Sequence, residues 1–312
     1  MAIDEPTRRF LARFPEPDGR TLDEIPIAEH RERSRAVSAM SGAGPEMARV
    51  EDHRVRGDAA EVPVRLLVPP GPVRALIVYL HGGGWVVGGV EQSDTLAREL
   101  AARAACAVLV VDYRLAPEHP FPGAVDDAWA ATRWAHDHLE RLLGARRPLV
   151  VAGDSAGGNL AAVVARRARD EDLALALQVL VYPVIAPDFD TPTYLDPENQ
   201  LFLTSDGMRW FWDQYAPGSE QRVTPAASPL AARDLSGLAP AVVLVAEHDV
   251  LRHEGEQYAA ALRAAGVPVV ERLFEGQMHL FFSLVNVLPA SVEALDLVAA
   301  EIARVTPNPD RK

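Results

Sequence analysis

Residues 148–168 read PLVVAGDSAGGNLAAVVARRA, and the fold follows from how this stretch is read. The apolar run PLVVAG at 148–153 predicts a strand buried on both faces, and 156–168 carries a helical pattern directly behind it. Only Asp154 and Ser155 separate the two. A reversal that short leaves no room for side chains beside it, and Gly153 and Gly157 flank Ser155 at −2 and +2. The product is a serine hydroxyl presented at a helix N-terminus, where unpaired backbone N–H groups favour developing negative charge. The plainer reading of the same string is a Ser/Gly-rich helix cap. The strand before it and the helix after it favour a nucleophile.

Working outward, the runs ALIVYL (75–80), AVLVVD (107–112), LQVLVY (177–182) and AVVLVA (241–246) predict further buried strands, with PVVERLF (268–274) as another. Helical patterns cover 92–105, 124–143, 254–265 and 290–304. This alternation implies an α/β protein with a mostly parallel central sheet covered by helices. RVEDHRVRG (49–57) and EVPVRLLVP (61–69) predict a hairpin ahead of it. The alternation breaks at 184–222, which is rich in Pro, Asp and aromatics, with a helix predicted at SDGMRWFWDQY (205–215). An insertion of that length after a strand reads as a lid or binding element. Residues 1–45 hold two short amphipathic helices, RRFLARF (8–14) and IAEHRERSRAVSAM (27–40), available as a cover.

Composition removes several classes of function. A net charge of −13 opposes nucleic acid and anionic membranes and favours neutral substrates. Lys312 is the only lysine, so there is no Walker lysine, no Schiff base and no Ser-Lys dyad. The single cysteine, Cys106, lies in an apolar stretch and supports neither a disulfide framework nor a thiolate metal site. No apolar run approaches the roughly 20 residues of a membrane span, and the N-terminus lacks the apolar segment of a signal peptide. A cytoplasmic protein is expected. G-x-G-x-x-G from Gly82 fails at Val87, and HEGEQ at 253–257 ends in Gln257 where a zinc motif needs histidine. His136 and His138 point to different faces of a helix, so neither cofactor nor metal is expected.

A GDSGG-like string also occurs in chymotrypsin-like proteases, with histidine and acid upstream, and His81 and Asp112 do precede Ser155. That mechanism belongs to paired antiparallel barrels, whereas here the serine ends a buried strand. On a strand–turn–helix the order is serine, acid, histidine. His279 sits just beyond the strand at 268–274 and Asp249 just beyond the strand at 241–246, so both emerge at the carboxyl edge of the sheet, where ligands bind. Glu247 is a competing acid; His248 and His253 flank the acid too closely to turn back onto it. An oxyanion hole needs backbone N–H groups, which His81-Gly82-Gly83-Gly84 after a strand, and Ala156 after the serine, supply without obstruction.

Six motifs in this order, HGGGW (81–85), DYRLAPEHPFP (112–122), GDSAGGNLA (153–161), SPL (228–230), AEHDVLRHEGEQYA (246–259) and GQMHLFF (276–282), resemble the hormone-sensitive-lipase family of carboxylesterases, bacterial family IV, within the α/β-hydrolases. The resemblance implies an α/β-hydrolase fold with a helical cap, Ser155 as nucleophile, Asp249 and His279 completing the triad, and Gly83, Gly84 and Ala156 as oxyanion donors. The division it implies is cap helices over 1–45, the catalytic domain over 46–183 and 223–312, and a cap insertion at 184–222. It also implies hydrolysis of short- to medium-chain esters through an acyl-enzyme, a small-molecule ester as the partner, and a homodimer. An amide or formamide hydrolase, or a non-catalytic small-molecule receptor, are the rival readings.

The family commonly has proline after the triad aspartate and glycine after the histidine, where this chain has Val250 and Leu280; the bulk of Leu280 bears on pocket width. His81 and Asp154 are expected to shape the loops by hydrogen bonding. In YRLAPEHPFP the prolines and an Arg-Glu-His cluster are expected to fix a connection beneath the oxyanion loop. Trp210, Phe211, Trp212 and Tyr215 serve either as pocket wall or as cap core.

Overall fold

In the computed structural model, which describes residues 2–14 and 19–306, the apolar runs become one continuous sheet; Lys312 lies outside the described residues. The strands are β1 (Arg49–Arg56), β2 (Glu61–Val68), β3 (Leu76–Leu80), β4 (Ala107–Val111), β5 (Leu149–Asp154), β6 (Leu177–Val181), β7 (Ala241–His248) and β8 (Val269–Met278). Their order is β1-β2-β4-β3-β5-β6-β7-β8. The β1/β2 hairpin joins β4 in antiparallel register, with Val64 opposite Val111, and every pairing from β4 through β8 is parallel. The expected mostly parallel α/β sheet is borne out.

The helices are α1 (Glu5–Leu11), α2 (Ile27–Ala39), α3 (Val90–Ala104), α4 (Gly123–Asp137), α5 (Leu139–Leu143), α6 (Ala156–Asp170), α7 (Pro192–Leu195), α8 (Ser205–Tyr215), α9 (Ser219–Arg222), α10 (Arg252–Ala264) and α11 (Pro289–Val305). They cover both faces. Along β3, Leu76, Val78 and Leu80 enter the core under α4, α6 and α10, while Ile77 and Tyr79 enter the core under α3 and α11. That period of two, with both faces apolar, is why the strands read as unbroken Val/Ile/Leu runs. The single helix expected over 124–143 is two, because the chain leaves helical geometry at His138 (φ −111°, ψ 10°).

The N-terminal helices attach differently from one another. Phe10 of α1 is buried in the core and its ring lies 6.2 Å from that of Phe202 in the insertion. The sequence pattern suggests an apolar face on α2, but α2 buries none of its residues completely. It is held by His30, whose ring lies 4.5 Å from that of Trp210 in α8, and by Arg31.

Because β3, β5, β7 and β8 run parallel, their carboxyl ends lie at one edge of the sheet. The residues that follow those four strands are the glycine loop, Ser155, Asp249 and His279.

Candidate active site

Ser155 occupies a backbone conformation (φ 54°, ψ −118°) that side-chain-bearing residues rarely adopt. Such a conformation costs on the order of 1–3 kcal/mol and persists only where its surroundings impose it. Here they do. Ser155 N–H donates to the Val181 carbonyl (2.9 Å), and its own carbonyl accepts from Asn159 (3.0 Å) and Val184 (3.2 Å). A Cβ on Gly157 would overlap the Leu80 carbonyl at the end of β3, and one on Gly153 would overlap the Gly157 carbonyl. The two glycines are therefore small because strand, turn and helix touch one another directly.

His279 Nε2 lies 3.0 Å from Ser155 Oγ, and His279 Nδ1 lies 2.7 Å from Asp249 Oδ2. The carboxylate fixes the tautomer: Nδ1–H donates to Asp249, which leaves Nε2 to accept the serine proton. Asp249 is fully buried, and its other oxygen accepts from Leu251 N–H at 3.0 Å. Glu247 does another task. Its carboxylate accepts from Gly276 N–H (2.7 Å), and the Gly276 carbonyl accepts from Asp4 N–H (3.1 Å). Gly276 is left-handed (φ 69°) and the β7/β8 register shifts between Ala246 and His248, so the strand is re-aimed just before it delivers His279.

Leu280, next in the chain, is also left-handed (φ 83°). The consequence of having leucine there falls first on the backbone, since a Cβ strains that conformation and glycine does not.

Asp154 is buried, and its Oδ1 accepts from Tyr79 Oη–H (2.6 Å) and from Gly82 N–H (2.9 Å). Burial pushes its carboxyl above the usual carboxylate range, against the pull of those donors. Gly82 N–H is thereby committed to structure. The N–H groups of Gly83, Gly84 and Ala156 have no hydrogen-bond acceptor among the described residues. His81 is buried and stacked on Tyr113 (centroids 4.2 Å apart), whose hydroxyl donates to the His81 carbonyl at 2.7 Å. Its Nδ1–H donates to the Gly82 carbonyl (2.7 Å), and burial lowers its pKa, which keeps the ring neutral.

The profile of the α/β-hydrolase fold matches residues 77–283. The chain belongs to the α/β-hydrolase family. This hydrolase is 38% identical over 310 residues to carboxylesterase NlhH of Mycobacterium tuberculosis, covering 97% of this chain and 96% of that one. It is 39% identical over 247 residues to an ethyl acetate hydrolase of Pseudomonas putida, covering 77% of this chain and 78% of that one. Among solved structures, a hyperthermophilic esterase from Pyrobaculum calidifontis superposes with a TM-score of 0.91 at 36% identity, over 97% of this chain and 99% of that one. The family resemblance read from the motifs is borne out.

In this α/β-hydrolase the four aromatic residues of α8 divide between two roles. Trp212 and Tyr215 are fully buried against Trp85 of the glycine loop, with Trp85 and Tyr215 stacked at 4.0 Å, and Trp210 is buried against His30 of α2. Phe211 is only partly buried and lies directly on Gly84, where a Cβ would overlap its ring. The expected Arg-Glu-His cluster in YRLAPEHPFP does not form. Arg114 pairs instead with the buried Asp127 (2.8 Å), and Glu118 pairs with Arg31 of α2 (2.6 Å). Charges adjacent in sequence are drawn to partners on different elements.

Two polar anchors escaped the sequence reading although they stand inside quoted motifs. Asn159 Nδ2–H groups donate to the carbonyls of Val184 (2.9 Å) and Ala227 (2.8 Å), tying both flanks of the insertion to the helix behind Ser155. Glu254 is buried, and accepts from the N–H groups of Ile185 and Ala186 (2.8 Å to the latter) and from Tyr194 Oη–H (3.0 Å). Burial raises its carboxyl to about 8, against those three donors.

The remaining residues singled out in the sequence stay away from Ser155. His248 is buried with Nε2 3.9 Å from Glu247, and His253 contacts Gln257 (3.0 Å). Burial pushes the Cys106 thiol up to about 12, which keeps it a thiol. Among the described residues no three metal-ligating side chains gather, and no helix is long and apolar enough to cross a membrane.

Proposed function

We propose that this hydrolase is a serine carboxylesterase cleaving short- to medium-chain carboxylic esters. The observation that carries the proposal is the line Asp249–His279–Ser155, at 2.7 and 3.0 Å, beside three backbone N–H groups that have no acceptor among the described residues. The names of its relatives, a carboxylesterase and an ethyl acetate hydrolase, support an ester as substrate.

His279 Nε2 takes the Ser155 proton as Oγ attacks the ester carbonyl. The oxyanion accepts from the N–H groups of Gly83, Gly84 and Ala156, at the N-terminus of α6. His279 then protonates the departing alcohol, leaving an acyl-enzyme, and water activated by the same imidazole releases the acid. Asp249 holds the tautomer and stabilises the imidazolium. The described residues of segment 1–45, together with segment 184–222, form the cap over this centre. The homodimer implied by the family resemblance and the cytoplasmic location expected from the sequence belong to the same proposal.

Ser155→Ala tests it. Turnover of a short-chain p-nitrophenyl ester should fall by about 10⁴ or more, and a fluorophosphonate probe should no longer label the protein. Substantial residual turnover would refute the assignment. Faster cleavage of a matched anilide than of the ester would instead favour the amide-hydrolase reading.

A further inference from the structure

Arg31 projects from α2, a helix that buries none of its residues completely, onto the loop that carries the oxyanion donors. Its Nε–H donates to the Val86 carbonyl (2.9 Å), and Nη2 donates to the Ala116 carbonyl (3.1 Å). Nη1 and Nη2 also meet the Glu118 carboxylate at 2.8 and 2.6 Å. Val86 belongs to a tight turn closed on Gly83, whose carbonyl accepts from both Val86 N–H (3.1 Å) and Val87 N–H (3.0 Å). Ala116 belongs to the neighbouring loop, and its N–H donates to the Trp85 carbonyl at 2.8 Å. One guanidinium thus spans two chain segments that are themselves bonded at Trp85, the residue next to Gly84.

We propose that Arg31 is a positioning residue for the oxyanion hole, and that through it α2 controls the aim of the Gly83 and Gly84 N–H groups. This rests on the reading of those groups as oxyanion donors. The glycine loop has two flanks. On the core side, Asp154 holds Gly82 and Tyr113 holds the His81 carbonyl. On the far side the turn is tied to the cap by Arg31 and by the packing of Trp85 on Tyr215. Glu118 is half exposed, so the ion pair contributes little by itself. The value of arginine here is geometric: its planar fork reaches two carbonyls and a carboxylate at once, which a lysine ammonium cannot. Because His30, one residue earlier, packs on Trp210 of α8, displacement of α2 would disturb the cap wall and the oxyanion donors together.

The test uses Arg31→Met, which keeps most of the apolar stem, Arg31→Lys, and Arg33→Met as a control whose arginine pairs with Glu29 on the same helix. Readouts are kcat and KM on a short-chain p-nitrophenyl ester, the affinity of a trifluoromethyl ketone whose adduct with Ser155 carries an oxyanion, and the melting temperature. Misplacing donors without deleting them predicts a fall in kcat of about 10- to 100-fold for Arg31→Met, with KM within about twofold and inhibitor affinity falling in step. Arg31→Lys should recover part of the loss, and Arg33→Met should match the parent. The inference fails if Arg31→Met keeps kcat and inhibitor affinity within about twofold of the parent, or if the loss appears in KM alone. Should Arg31→Met not fold, Arg31→Lys carries the same comparison, and parent-like kcat with parent-like inhibitor affinity there overturns the inference. An active Ser155→Ala would sink the parent reading; an inactive Ser155→Ala beside a parent-like Arg31→Met would sink this inference alone.

Discussion

Asp154 stands one residue before Ser155 yet turns to Tyr79 and Gly82, and its replacement separates two consequences of one side chain. Both of its hydrogen bonds, from Tyr79 Oη–H and Gly82 N–H, end on the same oxygen, Oδ1. Asp154→Asn can therefore keep both by presenting its amide oxygen there, whereas Asp154→Ala keeps neither. In the alanine variant the fully buried Tyr79 hydroxyl loses its acceptor, at about 1–3 kcal/mol, and the half-buried Gly82 amide adds about 1. A loss of about 2–4 kcal/mol is a large part of a typical folding stability of about 5–15. The same change frees the first residue of the glycine loop, so kcat should fall by on the order of 10²-fold with little change in KM. Urea unfolding and ester kinetics on the two variants read both quantities. The reasoning is refuted if Asp154→Ala loses less than about 1 kcal/mol, or if Asp154→Asn is as damaged as Asp154→Ala.

Three further outcomes follow from the geometry. Gly84→Ala should cost about 10- to 100-fold in kcat, because its Cβ would overlap the Phe211 ring at a left-handed φ of 57°; adding Phe211→Ala should restore part of that loss, and strict additivity of the pair would contradict the contact. The Glu254 carboxyl titrates near about 8 in the native state against 4.5 ordinarily, so between those values the native protein holds a proton that the unfolded chain has released. This contribution to stability is therefore present at low pH and lost as pH rises towards 8, and Glu254→Gln should gain in melting temperature relative to the parent across that window. A parent–variant difference that stayed flat across that window would mean that native Glu254 is ionised throughout and would refute the raised carboxyl. Leu280→Gly should leave turnover within about threefold, since the left-handed φ of 83° suits glycine; a loss comparable to that of a triad variant would mean that the leucine side chain itself shapes the site.

Much of this was legible in the chain. The Ser155 turn was readable because its pattern is local, with Gly153 and Gly157 two residues either side of the serine between a strand and a helix, although the atom that a Cβ on Gly157 would overlap, the Leu80 carbonyl, belongs to a distant strand. The parallel sheet was readable because strands buried on both faces become unbroken apolar runs, as in 107–111 and 149–153. The boundaries were less so. The break at His138 and the extension of β8 to Met278 have no counterpart in hydrophobic period, because one is a helix end and the other a register shift. The aromatics of α8 show the limit well, since helical spacing gives no means of separating Phe211, which lies on Gly84, from Trp212 and Tyr215, which pack on Trp85.

By itself the sequence determined the elements, their α/β alternation and the order in which serine, acid and histidine follow one another, all of which are written as pattern or position along the chain. The sequence already favoured Asp249 over Glu247, and the tertiary structure adds the physical reason: His279 Nδ1 lies 2.7 Å from Asp249, while Glu247 accepts from Gly276 N–H where β8 bends. The tertiary structure alone explained Asp154, whose partners lie 72 and 75 residues away, and brought forward Arg31, 55 residues from the carbonyl it holds. A hydrogen bond between distant segments leaves no periodicity in the sequence, because its geometry exists only after the sheet has brought the strand ends to one edge.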